Sequence, residues 1–337
     1  MRIVVDAFGG DNAPLEIIRG AALASEEYRV EITLTGNEKI IRDVISNNGL
    51  QFFGELRIIN TDDVISMHDE PTSLMKTHSQ SSMALAFREL ADDRADAFVS
   101  AGSTGAVVVG GTLIVKRIKG VKRPALAGMI PSPDGGHYML MDMGANSECR
   151  PEMLCQFGIM ASVYLENVEK RREPKIGLLN IGAEDTKGGE LQKQAYALLE
   201  KAPINFVGNI ESREMPKGIC DAVITDGFTG NIALKLLEGT VSVLFKMIKQ
   251  VFYKNLKNKL AALTLKKDLQ SVKSTMDSSE IGGAPLLGVQ KTVIKAHGSS
   301  DAKAVKNAVR QAVIFTETGV ISKISESLAV KTEAEEK

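Results

Sequence analysis

The sequence predicts a three-layer αβα sandwich built on a mainly parallel sheet. Short apolar runs rich in Val, Ile and Leu alternate with amphipathic helical stretches along almost the whole chain. Such continuous apolar strands are typical of parallel sheets that helices cover on both faces. Polar, glycine-rich loops follow several of the predicted strands, as expected at the ligand-binding edge of an open α/β sheet.

The elements can be assigned in chain order. The predicted strands are RIVVDAF, VEITLTG, RIINT, AFVSAG, PALAGMI, YMLMDMG, KIGLLNIG, INFVGNI, DAVITDG and TVIKAHG. Apolar residues at steps of three and four predict helices in the stretches between them, such as LEIIRGAALASEEY, SSMALAFRELADD and ELQKQAYALLEKA. We expect one α/β domain over residues 1–328, with a projecting basic amphipathic segment at 239–270 and a polar tail at 329–337.

Composition limits the possible functions. The 337 residues include 41 basic and 42 acidic side chains, and the net charge of −1 argues against general nucleic-acid binding. Cys149, Cys155 and Cys220 match no zinc-ligand spacing and are expected to be reduced thiols. The chain opens on a strand pattern and carries no apolar run long enough for a signal peptide or a membrane span, so we expect a cytoplasmic protein.

The stretch SAGSTGA follows one of the apolar runs and begins a helix pattern. It lacks the lysine of a nucleotide-binding P-loop, and its serine does not have the spacing of a nucleophile elbow. One interpretation is an anion site built from backbone N–H groups and the hydroxyls of Ser103 and Thr104, with Gly105 allowing close approach. The alternative is a purely structural helix cap.

Other strand-end loops carry polar residues of the same kind. In DAFGGD, Gly9 and Gly10 follow a strand, and Asp11 fits a helix cap better than a metal ligand. In DMGAN, Asn146 could help to position an oxyanion, although a surface loop would explain the same residues. Of the four histidines, His297 has the best position for a ligand contact, and no pair has the spacing of a metal site.

Two further loops combine charge with glycine. NIGAEDTKGGE holds Asn180 and Lys187 just after a strand, and DGFTGN holds Asp226 and Asn231. Glycine lets a backbone approach a ligand closely, so the pair of loops favours one shared cleft.

Taken in order, these strings resemble the phosphate acyltransferases of bacterial phospholipid synthesis, which move an acyl chain from acyl carrier protein to inorganic phosphate. The resemblance runs from Met1 to about Ser327 through VDAFGGDNAP, SAGSTGA, DMGANSECRPE, LLNIGAEDTKGGE, TDGFTGN, GGAPLLG and HGSSDAKAVKNA. Phe8 and Ser103 stand where the family usually has Met and Asn. The substitution at 103 replaces an amide with a hydroxyl, which can also donate to phosphate.

The resemblance implies a fold related to phosphotransacetylases and isopropylmalate dehydrogenases. It also implies a homodimer without cofactor or metal, acting with a membrane acyltransferase that passes the acyl group to glycerol 3-phosphate. Phosphate is itself the nucleophile, so the protein need only hold it against a thioester and stabilise the oxyanion. A β-decarboxylating dehydrogenase would need clustered aspartates and arginines, which the sequence does not present, and a non-catalytic binding module would not explain so many polar loops.

On this interpretation the catalytic residues are Lys187, Asp226 and Asn231. The substrate-binding residues are Gly9, Gly10, Ser103, Thr104, Gly105, Asn146, Asn180, His297 and Ser299.

Two surfaces are predicted to meet partners. The string KRIKGVKR supplies Lys116, Arg117, Lys122 and Arg123, a basic patch for the acidic acyl carrier protein or merely a solvated helix end. Residues 239–267 form an apolar stripe among lysines and contain no acidic residue. We expect Val241–Phe252 to pack within the fold or a dimer, and Leu256, Leu260 and Leu263 to contact an anionic membrane surface.

Overall fold

The computed structural model describes residues 1–267, 272 and 282–335. The strands are β1 (Arg2–Asp6), β2 (Glu31–Gly36), β3 (Arg57–Asn60), β4 (Ala97–Ser100), β5 (Ala125–Pro131), β6 (His137–Met141), β7 (Lys175–Asn180), β8 (Asn205–Glu211), β9 (Ala222–Ile224), β10 (Ala284–Leu287) and β11 (Thr292–Lys295). The α-helices are α1 (Leu15–Tyr28), α2 (Glu38–Asn48), α3 (Ser82–Ala91), α4 (Thr104–Gly110), α5 (Pro151–Asn167), α6 (Glu190–Glu200), α7 (Gly227–Tyr253), α8 (Leu256–Thr264), α9 (Ala302–Glu317) and α10 (Val320–Glu335). Short 3₁₀ turns cover Pro71–Met75 and Met215–Lys217, and a π-helical turn, Gly111–Lys116, extends α4.

The described strands form one eleven-stranded sheet in the order β3-β2-β1-β4-β11-β10-β5-β6-β9-β7-β8. Strands β3, β2, β1, β4 and β11 pair in parallel, and so do β6, β9, β7 and β8. The three pairings between them, β11–β10, β10–β5 and β5–β6, are antiparallel. The mainly parallel sheet is therefore confirmed, and its two parallel halves run in opposite directions.

Alternation of side chains along β1 explains the three layers. Ile3, Val4 and Val5 are all fully buried, as expected for a strand covered on both faces. Ile3 and Val5 belong to the core under α1 and α9, whereas Val4 belongs to the core under α3. Successive residues of a strand point to opposite faces, so the same strand anchors both helical layers.

The covering helices follow the predicted periodicity. Helix α1 has the bounds expected from its apolar spacing, and it packs closely on α9. At the contact, a Cβ placed on Gly20 would lie 2.5 Å from the Cβ of Val305, so the glycine allows the two backbones to approach.

The segment from α7 to α8 differs from the expectation. Helix α7 begins at Gly227 and runs for 27 residues, and α8 folds back along its end. Residues 241–252 do not all pack on the fold of the single chain, since Val243, Leu244, Met247 and Val251 are each more than half exposed. The other alternative, packing in a dimer, stays a prediction. Residues 268–270 of the predicted segment lie outside the described residues, and the predicted tail is helical as far as Glu335.

Among the described residues, no helix combines the length and the hydropathy that crossing a bilayer requires.

Candidate active site

A cleft of about 400 Å³ opens where three strand-end loops of the first half of the sheet meet β5 and α7. Its polar end comes from the loops after β1, β4 and β11, and its wall from β5 and one side of α7. The lining residues are Asp11, Met67, Thr104, Leu126, Gly128, Met129, Ile130, Met143, Asn231, Leu234, Lys235, Glu238, Gly282, Gly283, Ala284, Lys295, Ala296, His297 and Gly298. Of the residues predicted from sequence, the cleft thus gathers Thr104, Asn231 and His297.

Lys295 is a cleft residue that sequence reasoning missed. It ends β11, is only 8% exposed, and donates hydrogen bonds to the carbonyl oxygens of Ala101 (3.4 Å) and Ala296. Burial, followed by the nearby Lys235 cation, lowers the pKa of Lys295 to about 8. Because an ammonium group has three donors, two hydrogen bonds leave one for an anion in the cleft.

His297, on the loop after β11, meets Lys235 of α7 at the cleft. The Nε2 atom of His297 is 3.3 Å from the Lys235 ammonium nitrogen, and Nδ1 is 2.9 Å from the Ser299 hydroxyl. Burial and the Lys235 charge lower the pKa of His297. Lys235 also pairs with Glu238 at 2.8 Å.

The buried carboxylate of Asp6 joins the loops after β1 and β4. It accepts hydrogen bonds from the hydroxyls of Ser82 (2.6 Å) and Ser100 (2.8 Å), and burial raises its pKa. A Cβ on Gly9 would lie 2.6 Å from the Asp6 carboxylate and 2.7 Å from the Gly102 nitrogen. Gly9 therefore allows the two loops to pack closely, and its predicted contact with substrate stays a prediction.

At Gly10 the backbone conformation itself favours glycine. Gly10 has φ +102°, and a Cβ there would lie 2.9 Å from the Gly298 carbonyl oxygen. The backbone of Asp11 donates to that same oxygen at 2.8 Å, which ties the β1 loop to the β11 loop. The expected helix cap at Asp11 is wrong, because α1 has Pro14 at its N-cap and no side-chain cap. Asp11 faces the cleft instead.

In the SAGSTGA loop the helix-cap interpretation is confirmed, whereas the anion-site interpretation stays a prediction. Ser103 caps α4, its hydroxyl accepting from the Ala106 nitrogen at 3.5 Å, and the Gly102 nitrogen donates to the Ser100 hydroxyl at 2.9 Å. Those two N–H groups are therefore already satisfied. Thr104 lines the cleft, while Gly105 lets α4 approach Pro71, whose side chain would lie 2.5 Å from an added Cβ.

Asn146 has a structural role in place of the predicted oxyanion contact. Its side-chain nitrogen donates to the Pro124 carbonyl and to the Asp142 carboxylate, each at 2.8 Å. Both amide hydrogens are thereby used. Asp142, whose pKa burial raises, also accepts from four backbone nitrogens, those of Leu126, Gly144, Ala145 and Asn146.

Asp226 and Asn231 sit on the first turns of α7. Asp226 is the N-cap, and its carboxylate accepts from the backbone nitrogen and the hydroxyl of Thr229, both at 2.8 Å. Both contacts of this carboxylate are with Thr229, so it serves the helix end. Asn231, one turn later, reaches the cleft beside Gly144.

Lys187 lies exposed on the loop after β7 and is not among the cleft-lining residues of the described chain. Asn180 donates to its carbonyl oxygen at 3.1 Å and so shapes this loop. The amide of Asn180 therefore fixes the backbone at Lys187, and its predicted contact with substrate stays a prediction. Ser299 supports His297 and offers its carbonyl to the Asn12 amide at 3.0 Å.

In the part of the chain that the structure describes, no group of three or more His, Cys, Asp or Glu residues is placed to hold a metal ion.

The chain is similar in sequence to known proteins over almost its whole length. A family model described as "Fatty acid synthesis protein" matches residues 1–323. The chain is 46% identical over 330 residues to a protein named phosphate acyltransferase from Anoxybacillus flavithermus, covering 98% of this chain and 99% of that protein. It is 45% identical over 331 residues to the protein of the same name from Oceanobacillus iheyensis, covering 97% of this chain and 98% of that protein.

Solved structures are similar in fold at much lower identity. A phosphotransacetylase from Streptococcus pyogenes superposes with a TM-score of 0.62 at 16% identity, covering 96% of this chain and 94% of that one. A branched-chain phosphotransacylase from Enterococcus faecalis gives a TM-score of 0.56 at 14% identity, covering 94% and 99%. The expected relation to phosphotransacetylases is confirmed at the level of the fold.

Proposed function

We propose that this chain, which belongs to the fatty acid synthesis protein family and is a phosphate acyltransferase, transfers a long-chain acyl group from acyl carrier protein to inorganic phosphate. The product would be an acyl phosphate, for use in phospholipid synthesis. The observation that carries the proposal is the cleft, in which the buried Lys295 faces a polar end and Leu126 and Ile130 form an apolar wall.

The reaction needs little covalent participation from the protein. A phosphate oxygen attacks the thioester carbonyl carbon, the tetrahedral intermediate collapses, and the carbon–sulfur bond breaks. The carrier thiolate leaves and takes up a proton. Holding the two reactants in one cleft supplies the proximity effect, and fixed donors stabilise the oxyanion.

Charge at the polar end of the cleft supports phosphate binding there. Lys295 and Lys235 provide cations, and Thr104 and His297 provide further polar groups. A phosphate dianion is bound best where several donors converge in a place of low dielectric constant. We assign the phosphate to this end.

Lys187, Asp226 and Asn231 keep the catalytic roles proposed for them. Asn231 projects into the cleft and can donate to the thioester oxygen, while Asp226 orients the helix turn that carries it. Lys187, which is exposed on the loop after β7, is the proposed donor to the thioester oxyanion.

A basic surface supports docking of the acidic carrier protein. Lys116, Arg117, Lys122 and Arg123 are all exposed, around the turn that follows the π-helical segment. Arg117 donates to the carbonyl oxygens of Val121 (3.1 Å) and Lys122, so it also holds the loop together. The patch offers positive charge without a carboxylate partner among the ion pairs of the described residues.

The α7–α8 hairpin offers one apolar surface for a second subunit and another for a membrane. The exposed apolar side chains of α7, Val243, Leu244 and Met247, would be covered in the proposed homodimer. Leu256, Leu260 and Leu263 on α8 are 74%, 58% and 68% exposed, and lysines surround them. A peripheral position at the inner membrane surface would bring the product to a membrane acyltransferase that acylates glycerol 3-phosphate.

The decisive experiment is a direct assay. Purified protein is incubated with hexadecanoyl acyl carrier protein and inorganic phosphate, and acyl phosphate and free carrier thiol are measured together. Equal amounts of both products support the proposal. Release of thiol without acyl phosphate would mean hydrolysis, and absence of both products, with a folded protein, would overturn the function.

A further inference from the structure

A second cavity, of about 320 Å³, lies under the middle of α7. One side is the sheet, through Tyr138 and Leu140 of β6, and the other is α7 itself. The 3₁₀ turn Met215–Lys217 and the residues before it close the far end. The lining residues are Ile130, Tyr138, Leu140, Ser212, Arg213, Met215, Pro216, Ala233, Leu234, Leu236, Leu237 and Thr240.

This cavity and the candidate active site share two wall residues, Ile130 and Leu234. The shared residues come from the end of β5 and from α7, so both spaces run between the same strand and the same helix. From Leu126 to Ile130 the wall of β5 covers about 13 Å at the rise of a β-strand. The second cavity begins where this wall ends.

The lining becomes less polar from the candidate active-site cleft to the cavity under α7. The end with Lys295 and Thr104 is polar, whereas the cavity beyond Ile130 is lined mainly by aliphatic and aromatic side chains. Leu140 is 1% exposed and Met215 is 5% exposed, so the deep walls are withdrawn from water. An apolar chain that started at the polar end would leave water progressively as it passed Ile130.

A flexible side chain covers the wall of β5 between the two spaces. Gly128 lines the cleft between Leu126 and Ile130 on the same face of the strand. The Met143 side chain occupies the place that a side chain at 128 would take, since its terminal methyl would lie 2.0 Å from an added Cβ. Methionine is flexible and polarisable, and it can move aside for an apolar ligand.

We infer that the cavity under α7 binds the distal methylene groups of the acyl donor, while the thioester stays in the cleft beside the phosphate. The inference rests on the proposed function, because it requires a fatty acyl substrate. It assigns chain-length selection to Ile130, Leu140 and Leu237, residues that touch neither the thioester nor the phosphate in this arrangement.

The test compares two substitutions on the same helix. Leu237→Trp places a large ring in the cavity, whereas Ile232→Trp makes the same change at an exposed position that lines neither space. Each variant is assayed with hexadecanoyl and with butanoyl thioester donors. For Leu237→Trp we expect the kcat/KM for the hexadecanoyl donor, divided by that for the butanoyl donor, to fall about tenfold or more. The reason is that each methylene group excluded from the cavity no longer contributes to binding of the long donor. Ile232→Trp should keep the wild-type ratio.

Equal losses with both donors, or an unchanged ratio, would overturn the cavity assignment. Ala233→Leu, a smaller intrusion from the same wall, is the second variant if Leu237→Trp does not fold, and it should lower the same ratio. Binding of a fluorescent hexadecanoic acid to the folded proteins gives a readout without turnover. Leu237→Trp should bind this probe more weakly than the wild type, and Ile232→Trp should bind it equally well. A wild-type protein that acylates phosphate from neither donor would instead refute the proposed function.

Discussion

The ammonium group of Lys295 donates to the carbonyl oxygen of Ala101, 3.4 Å away, and so joins the end of β11 to the loop that follows β4. These strands are neighbours in the sheet, with Lys295 paired to Ser100. The contact fixes a buried cation at the polar end of the cleft. Its charge is costly to bury, which indicates that it is retained for an anion.

Replacing Lys295 with Met is expected to raise the KM for phosphate and to lower kcat/KM by roughly 10²-fold, because an oriented cation is lost. Met fills similar space without charge, so the fold should persist. Lys291→Met, at a partly exposed lysine on the approach to β11, is the control and should leave both constants near wild type. Steady-state kinetics with varied phosphate measure the effect, and an unchanged KM would remove Lys295 from the phosphate site.

The same residue predicts a pH dependence. The pKa of Lys295 is lowered to about 8, so the cation is present below that pH and is lost as the pH rises through it. The KM for phosphate should therefore rise above about pH 8. Between this pKa and the ordinary lysine value the unfolded chain binds more protons, so Lys295 makes unfolding free energy increase with pH in that window. Lys295→Met should show neither trend, as determined by kinetics and by urea unfolding.

Lys187→Ala is expected to lower kcat/KM by roughly 10²-fold, on the scale of a lost oxyanion donor. The side chain is exposed, so the free energy of unfolding should change little. Lys193→Ala, at an exposed position on α6, is the control for loss of a surface charge. Near-normal turnover of the folded Lys187→Ala variant would show that this lysine has no part in catalysis.

Asp226 offers a way to separate capping from chemistry. Asp226→Ala should lower the free energy of unfolding by about 1 kcal/mol, because it removes the N-cap of α7. Asp226→Asn can still cap the helix and should retain most of that stability. If Asp226 acts only by positioning α7, the Asp226→Asn variant keeps its activity. A stable Asp226→Asn variant with strongly reduced kcat would instead show that catalysis requires the negative charge of Asp226.

Docking of the carrier protein is tested by reversing charge at Lys122 and Arg123. Both are exposed, and leaving Arg117 in place keeps its bonds to the loop carbonyls. The KM for acyl carrier protein should rise severalfold, since long-range attraction is lost, while the KM for phosphate stays constant. Reversal at Lys39 and Arg42 on α2 is the matched control. Equal changes in the two KM values would exclude a specific docking role.

Membrane binding is tested at the tip of the hairpin. Replacement of Leu256, Leu260 and Leu263 by Glu should abolish co-sedimentation with vesicles rich in anionic lipid, because it removes apolar area and adds negative charge. Activity with soluble acyl carrier protein should remain. The exposed positions predict an unchanged melting temperature. A variant that unfolds or separates into monomers would show that these leucines are structural.

Local patterns predicted most of the fold. Strand runs and the bounds of α1 follow from side-chain periodicity, which depends only on neighbouring residues. Strand β10 was missed because its four residues, between glycines and with Pro285 among them, do not give a strand signal. The antiparallel centre of the sheet depends on that strand.

Contacts between residues far apart in sequence explain why the role of Asn146 was predicted wrongly and why Lys295 was not predicted. The amide of Asn146 is used by the carbonyl of Pro124, 22 residues earlier, and by Asp142. Nothing in DMGAN reveals that these donors are occupied. Lys295 was missed for the opposite reason, since a lysine at a strand end resembles a solvated cation until the strand is placed inside the sheet.

Helix α7 has one end in the cleft wall and the other in the hairpin. Its first turn is fixed by the Asp226 cap, and Gly230 allows it to press on the Asp142 backbone. The 27-residue helix is about 40 Å long. If it tilts about that fixed turn, Tyr253 moves roughly three times as far as Lys235, in proportion to their distances along the axis. Such a tilt would therefore change the width of the cleft by only about a third of the displacement of the hairpin.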